Sequence, residues 1–192
     1  MASPPTANEI KAQLKTLLTP VIGTSGTKKA KIFDYMALAF KSEEGTEVDI
    51  LRSPLDITTT AGGSTIQRVN CLMITEQSFT QALEPPKRDS TLLLTQPRGR
   101  AVITRQFRLT YWYQFGLDSE KVFSENVELI RATINDAPKL GFAVADTGPA
   151  GQGEYISHEA LQMQSMEPDN FGKTLVHVGF GLLTVKVIEG LG

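Results

Sequence analysis

The residues of this chain that could carry chemistry stand mostly without the partners that such chemistry needs. Gly172, Lys173 and Thr174 in NFGKTL match the end of a phosphate-binding loop, in which backbone amides and a lysine cradle phosphates. That loop needs a glycine five positions before Gly172 and must open a helix. Glu167 holds that position, and the following LVHVGFG reads as a strand. GPAGQGE at 148–154 lacks the dinucleotide spacing and opens no apolar helix, which leaves a surface loop. His158 and His177 are too few and too far apart for a metal site, with one cysteine and no HxxxH or CxxC pattern; each reads as a strand residue with a satisfied ring. There is no GxSxG elbow, so a serine nucleophile would have to be assembled from a scattered serine, one of the histidines and an aspartate. Glu43 and Glu44 precede Gly45 in a polar turn, and Asp118 and Glu120 suit the positive end of a helix dipole, so both carboxylate pairs have structural explanations. Cys71, among apolar neighbours in NCLMI, reads as a small buried hydrophobe. No catalytic, cofactor-binding or metal-ligating residue is assigned, and no enzyme is expected.

The composition points the same way. The 192 residues fit a single domain, 1–192, able to bury roughly 70% of its unfolded surface. Nineteen basic against twenty-one acidic residues give a formal charge of −2, without the broad basic footprint of a nucleic-acid binder. One cysteine excludes an internal disulfide. MASPPTANEI shows no basic region followed by an apolar one, and no stretch approaches 18 apolar residues, so a soluble, unsecreted protein without a membrane partner is expected.

Which elements would position these residues follows from periodicity. Thr6 and Glu9 have capping-box spacing, and Ile10, Leu14, Leu17, Leu18 and Val21 then form one apolar stripe, predicting a helix over about 7–19 closed by Pro20 and Gly23. IFDYMALAF is open between helix and strand. TEVDIL and TIQRVNCLMI read as strands, and TTTAGGST between them as a flexible loop or hairpin tip. From Ala101 to Gln114, residues Ala101, Ile103, Phe107, Leu109, Tyr111 and Tyr113 share one face, interrupted by Arg105, while Thr104, Gln106, Arg108, Thr110 and Gln114 take the other. Gly116 then turns the chain, Asp118 or Ser119 can cap, and Phe123, Val127, Ile130 and Ile134 make a second helical stripe ended by Pro138 and Gly141. YISHEALQMQSM reads as a strand, EPDNFG as a turn, and KTLVHVGFGLLTVKVI as a closing strand, where Gly179 and Gly181 suggest a bulge or a close backbone approach. Helix, strands, helix, strands is the order of an α+β fold.

One run stands outside this scheme. EPPKRDSTLLLTQPRGR, about 84–100, reads as an inserted loop with three consecutive leucines, which either fold back on the core or reach a neighbouring subunit. The candidate subunit interface is therefore Leu92, Leu93, Leu94, Arg98 and Arg100. Arg105 and Trp112 join it, because Trp112 lies on the polar strand face and Arg105 among apolar neighbours must pair with a carboxylate or mark where the face emerges at an interface.

In the helix ANEIKAQLKTLLTPVIG, the strand RQFRLTYWYQFG running into LDSEKVFSENVELIRATI, and the closing set from YISHEALQMQ to LVHVGFGLLTVKVI, the chain resembles the tail-terminator and neck proteins of tailed bacteriophages. The resemblance implies a small mixed, mainly antiparallel sheet packed by two amphipathic helices, with extended loops. It also implies a non-enzymatic virion protein, assembled in the host cytoplasm as a homo-oligomeric, hexameric ring. The ring would cap the tail tube protein, meet head-connector and neck proteins, and touch DNA only as it passes through the lumen. It brings no cofactor. A head-completion or other neck or tube protein is the alternative, since the chain exceeds the smaller members by the run at 84–100 and the loop at 146–153. The glycine-rich segments 58–65 and 146–153 are the expected bulk that refuses a further tube ring.

Overall fold

The computed structural model describes residues 5–22, 30–34, 40–41, 47–48, 56–59, 65–68, 70–84, 100–142, 155–171 and 174–190, to which all structural statements here refer. Leu92, Leu93, Leu94, Arg98, Glu43, Glu44, Gly172, Lys173 and the segment 146–153 lie outside them, as does 60–64 of the segment 58–65. The chain order is α1 (Ala7–Ile22), β1 (Lys31–Phe33), β2 (Phe40–Lys41), β3 (Glu47–Val48), β4 (Asp56–Thr59), β5 (Thr65–Arg68), β6 (Asn70–Glu84), β7 (Arg100–Gln114), α2 (Ser119–Asn135), β8 (Tyr155–His158), β9 (Gln162–Phe171) and β10 (Thr174–Gly190). The fold is α+β: a mixed six-stranded sheet in the order β1-β6-β7-β10-β8, with β9 also on β10, packed by two helices. Only β1 runs parallel to its neighbour, pairing Lys31–Phe33 with Cys71–Met73; every other pairing is antiparallel. β2 pairs with β3 and β4 with β5 as separate antiparallel two-stranded ladders.

α1 begins as its capping box specifies. The Thr6 amide and hydroxyl donate to Glu9 Oε2 at 2.7 and 2.8 Å, and the Glu9 amide donates back to Thr6 Oγ1 at 3.3 Å. These bonds hold the Glu9 carboxyl below its ordinary range. The helix outruns the expected end by a turn, to Ile22, with Pro20 inside it. A proline in the last turn removes one backbone donor but leaves the following carbonyls usable, and the Ile22 carbonyl accepts from the Ala30 amide at 2.6 Å. The extra turn adds Ile22 to Ile10, Leu14 and Leu18 as the buried stripe. Each such burial contributes about 1.5–3 kcal/mol.

The strands differ from expectation in three places. TIQRVNCLMI is divided between β5 and β6, and β6 continues ten residues past Ile74 to Glu84. Glu84 faces Arg100 in register, so the inserted run is a connection of fifteen residues, 85–99, between two long paired strands. EPDNFG is not a turn as a whole: Glu167–Phe171 belong to β9, because Asp169, Asn170 and Phe171 pair with Val176, Leu175 and Thr174 of β10, while the register shift takes up Glu167 and Pro168. YISHEALQMQSM is split at Glu159–Leu161, so that β8 and β9 flank successive halves of the same strand β10.

The main core lies between the helices and one sheet face and includes Leu72, Ile74, Phe107, Leu109, Tyr111, Leu183, Val185 and Val187 with Phe123, Ile130 and Ile134. A second cluster of Cys71, Val176 and Val178, with Phe33 and Trp112 against it, lies on the opposite face. Gly179 and Gly181 are sites of close approach: a Cβ at Gly179 would stand 3.1 Å from Val127 Cγ2, and one at Gly181 would stand 2.9 Å from the Gln162 carbonyl oxygen and from Met163 Cγ. The register shift falls between Val176 and Val178 instead. Gly181→Ala should therefore cost about 1–3 kcal/mol in urea unfolding, whereas Gly116→Ala, which meets nothing within 4 Å, should change stability by less than about 0.5 kcal/mol. Equal stabilities for the two variants would refute the close-approach account.

Candidate assembly surface

The lengths of the elements decide which surface is left uncovered. β6, β7 and β10 have 15, 15 and 17 residues, about 50 Å or more at roughly 3.4 Å per residue. α1 and α2 have 16 and 17 residues, about 25 Å at 1.5 Å per residue. Each helix is about half as long as the strands it packs against.

α2 is pinned to the sheet at both ends. At its start the Gly116 amide donates to Ser119 Oγ at 3.0 Å, and the Ser119 hydroxyl lies 2.8 Å from His177 Nε2. The His177 ring stacks on Phe115 and Phe123, with centroids 4.7 and 5.2 Å away. Asp118 provides no side-chain cap; it stands in the left-handed region, at φ 56°, and aims the chain into the helix. At the far end Asn135 and Leu161 exchange two bonds, Leu161 N–H to Asn135 Oδ1 at 2.8 Å and Asn135 Nδ2 to the Leu161 carbonyl at 3.2 Å. His158 Nε2 lies 3.0 Å from the Ala137 carbonyl, and its Nδ1 2.8 Å from that of Glu159. Midway, Asn126 Nδ2 donates to Tyr111 Oη at 2.7 Å, and Tyr111 Oη donates to Asn70 Oδ1 at 2.8 Å, inside the core.

These contacts place both histidines in structural roles. Ser119 and His177 do meet, and a serine hydroxyl on an imidazole is how nucleophiles are activated. Here, though, the residues are 5% and 8% exposed, ring-stacked, and the hydroxyl already accepts from the Gly116 amide. The pair ties a helix start to a strand. Cys71 is buried, and desolvation pushes its thiol from an ordinary 9.0 up to about 12, which suppresses the thiolate that thiol chemistry requires. Among the described residues no group of three or more His, Cys, Asp or Glu could hold a metal ion, and no helix is long and apolar enough to cross a membrane.

The second half of β6 differs from the strands beside it, whose Ala101, Ile103, Val185 and Val187 stay buried. Every residue of β6 from Glu76 to Leu83 is exposed, with Phe79 at 49% and Leu83 at 70%. A strand packed on one side buries alternate residues; here neither face is buried. Gln77 is the extra residue of a bulge between Glu76 and Ser78, a device that bends an edge. At the opposite edge Gln162 and Gln164–Asp169 of β9 are exposed, with Met166 at 53%, while Met163 is half-buried.

Arg105 stands beside the exposed β6 run. Its Nη1 bonds Glu76 Oε1 at 2.7 Å, and its guanidinium lies 4.7 Å over the Phe79 ring. It pairs with a carboxylate, one of the two roles its apolar setting allowed. Its Nε is a buried donor without a hydrogen-bond partner among the described residues. Trp112 is half-buried against the Cys71, Val176 and Val178 cluster, opposite Cys71 on one side and Val178 on the other. Arg100 opens β7 at the outermost row. The expected interface residues thus fall at separate places: Arg100 and Arg105 on the rows beside the exposed run of β6, Trp112 on the reverse face near the other end.

Two measurements check these roles. Ser119→Ala leaves a buried imidazole nitrogen and the Gly116 amide short of a partner, so it should lower the unfolding free energy by about 1–3 kcal/mol; unchanged stability would dismiss the fastening role. With its pKa raised by about three units, native Cys71 should react with a disulfide reagent at pH 8 about a thousandfold more slowly than in urea-unfolded protein. Comparable rates would mean that the thiol is accessible.

No protein-family model matches the chain, and no curated protein matches it.

Proposed function

We propose that this chain is a structural virion protein, the tail terminator of a tailed bacteriophage. It forms a ring of about six subunits that caps the tail tube and joins it to the head connector. The observation that carries this reading is the second half of β6, Glu76–Leu83, together with the β9 edge on the opposite side of the sheet, both of which expose apolar side chains in ordered strands. Such a surface marks an association site. The arrangement of two helices on one face of a mixed sheet accords with the terminator pattern. The protein acts by shape: it needs no cofactor and no catalytic residue, and DNA meets it only in crossing the ring. Its place is the virion neck, reached by assembly in the host cytoplasm.

A tube grows by stacking like rings, so its last ring keeps an unsatisfied surface. A terminator matches that surface on one side and refuses a further ring on the other, which requires bulk or charge opposed to the tube subunit. The segments 58–65 and 146–153 supply that bulk. Purified protein added to polymerising tube subunits should shorten the tubes in proportion to its concentration and sit at one end in electron micrographs. Constant tube length with no end decoration would sink the terminator reading and favour a head-completion role. Replacing Leu92, Leu93 and Leu94 with serine should weaken self-association by light scattering while circular dichroism stays native. Loss of the native spectrum would return those leucines to the core.

A further inference from the structure

We infer that His158 is a proton-dependent fastener: with hydrogen on both ring nitrogens it ties the end of α2 to the corner between β8 and β9, and it gives up one of its two bonds as the pH rises through the range in which imidazoles lose a proton. This device is independent of the proposed ring.

Nδ1 of His158 lies 2.8 Å from the Glu159 carbonyl oxygen, and Nε2 lies 3.0 Å from that of Ala137. Carbonyl oxygens only accept, so each bond needs an N–H on the ring. A neutral imidazole carries one N–H and an imidazolium two. The neutral ring therefore makes one of these bonds and turns a lone pair toward the other oxygen, where two acceptors repel. Changing the tautomer only exchanges the carbonyl that is left. Ala137 also takes the Leu140 amide at 2.8 Å, which a carbonyl with two lone pairs can do alongside an imidazole.

The surroundings suit a cation. Ala137 follows Asp136, the C-cap of α2, where helix carbonyls gather about half a unit of negative charge. Among the described residues the charged neighbours are Asp136 and Lys139 on either side of Ala137, Glu159 next to His158, and Lys186 next to Val185, the β10 partner of His158. Glu159 and Lys186 bond each other at 2.9 Å, and that bond holds the Glu159 carboxyl below its ordinary range, so it stays charged where an imidazole titrates. Histidine is the side chain whose ordinary charge change falls between about pH 5 and 8. The other histidine, His177, lies at the far end of α2 against Ser119.

The fastened corner is where β10 passes from one partner to the next: His158 ends β8 opposite Val185, and Gln162 opens β9 opposite Leu182. Beside it the Glu159 amide donates to the Thr184 carbonyl at 3.0 Å, and the Leu161 amide to Asn135 Oδ1 at 2.8 Å. Fastening is complete on the acid side. As the pH rises and one imidazole bond is lost, these two amides open more often.

Amide hydrogen exchange of the full chain, corrected for the intrinsic effect of pH, tests the fastener. From about pH 5.5 to 8 the protection of the Glu159 and Leu161 amides should fall about tenfold, the worth of one hydrogen bond from a charged donor, while that of Glu128–Ile130 stays level. His158→Gln, whose amide does not titrate, should show no such fall. A level profile at the corner in the wild type overturns the fastener, and so does an equal fall in His158→Gln. Should that variant fail to fold, 15N-labelled histidine in the wild type decides. Both ring N–H protons of His158 should then be seen in slow exchange with water at about pH 5.5, and one of them at about pH 8. Ring protons that exchange freely on the acid side would reject the paired bonds.

Discussion

A strand advances more than twice as far per residue as a helix, and most of this structure follows from that inequality. With helices of 16 and 17 residues laid on strands of 15 to 17, β7 and β10 keep a buried face along their length while the second half of β6 projects past the covering layer. The covered part behaves as an ordinary two-layer domain. The projecting part of β6 retains its backbone pairing with β7 but has no layer on either face.

The covered part is fixed by polar contacts as much as by apolar ones. Tyr111, 0% exposed, has its ring stacked on Phe123 at 5.7 Å and its hydroxyl held between Asn70 and Asn126. Burial pushes that hydroxyl well above its ordinary pKa, so it stays protonated. A buried network of this type is costly to break, because each deleted partner leaves another polar group unmet. Ser119 with His177 at one end of α2, and Asn135 with Leu161 at the other, fix where the helix lies along β10. Gly179 lets Phe123 and Val127 settle against the strand. Position and closeness are therefore set by different residues.

Much of the covered part is legible in the sequence. The stripe from Ile10 to Leu18, the alternation from Ala101 to Tyr113 and the spacing from Phe123 to Ile134 all record a buried face, which a single chain can display. The second half of β6 records none. In TEQSFTQALE the apolar residues stand among polar ones without a buried side to enforce alternation, so only the pairing with β7 makes it a strand. EPDNFG misleads for a related reason: its residues favour turns locally, and the ladder with β10 overrules them. The Ser119–His177 contact joins residues 58 apart in sequence and has no local signature. Arg105 was visible as an anomaly on its strand face, but its partner Glu76 lies on a strand segment with no periodic mark.

The ladder between β7 and β10 joins fifteen residue pairs in one unbroken register. A pull directed along these strands must shear all of those pairs at once, whereas a pull across them would peel the pairs one at a time. Mechanical resistance in this subunit is therefore anisotropic, greatest along the strand axis. A protein standing in a column under axial load would best withstand it with β7 and β10 aligned to the column.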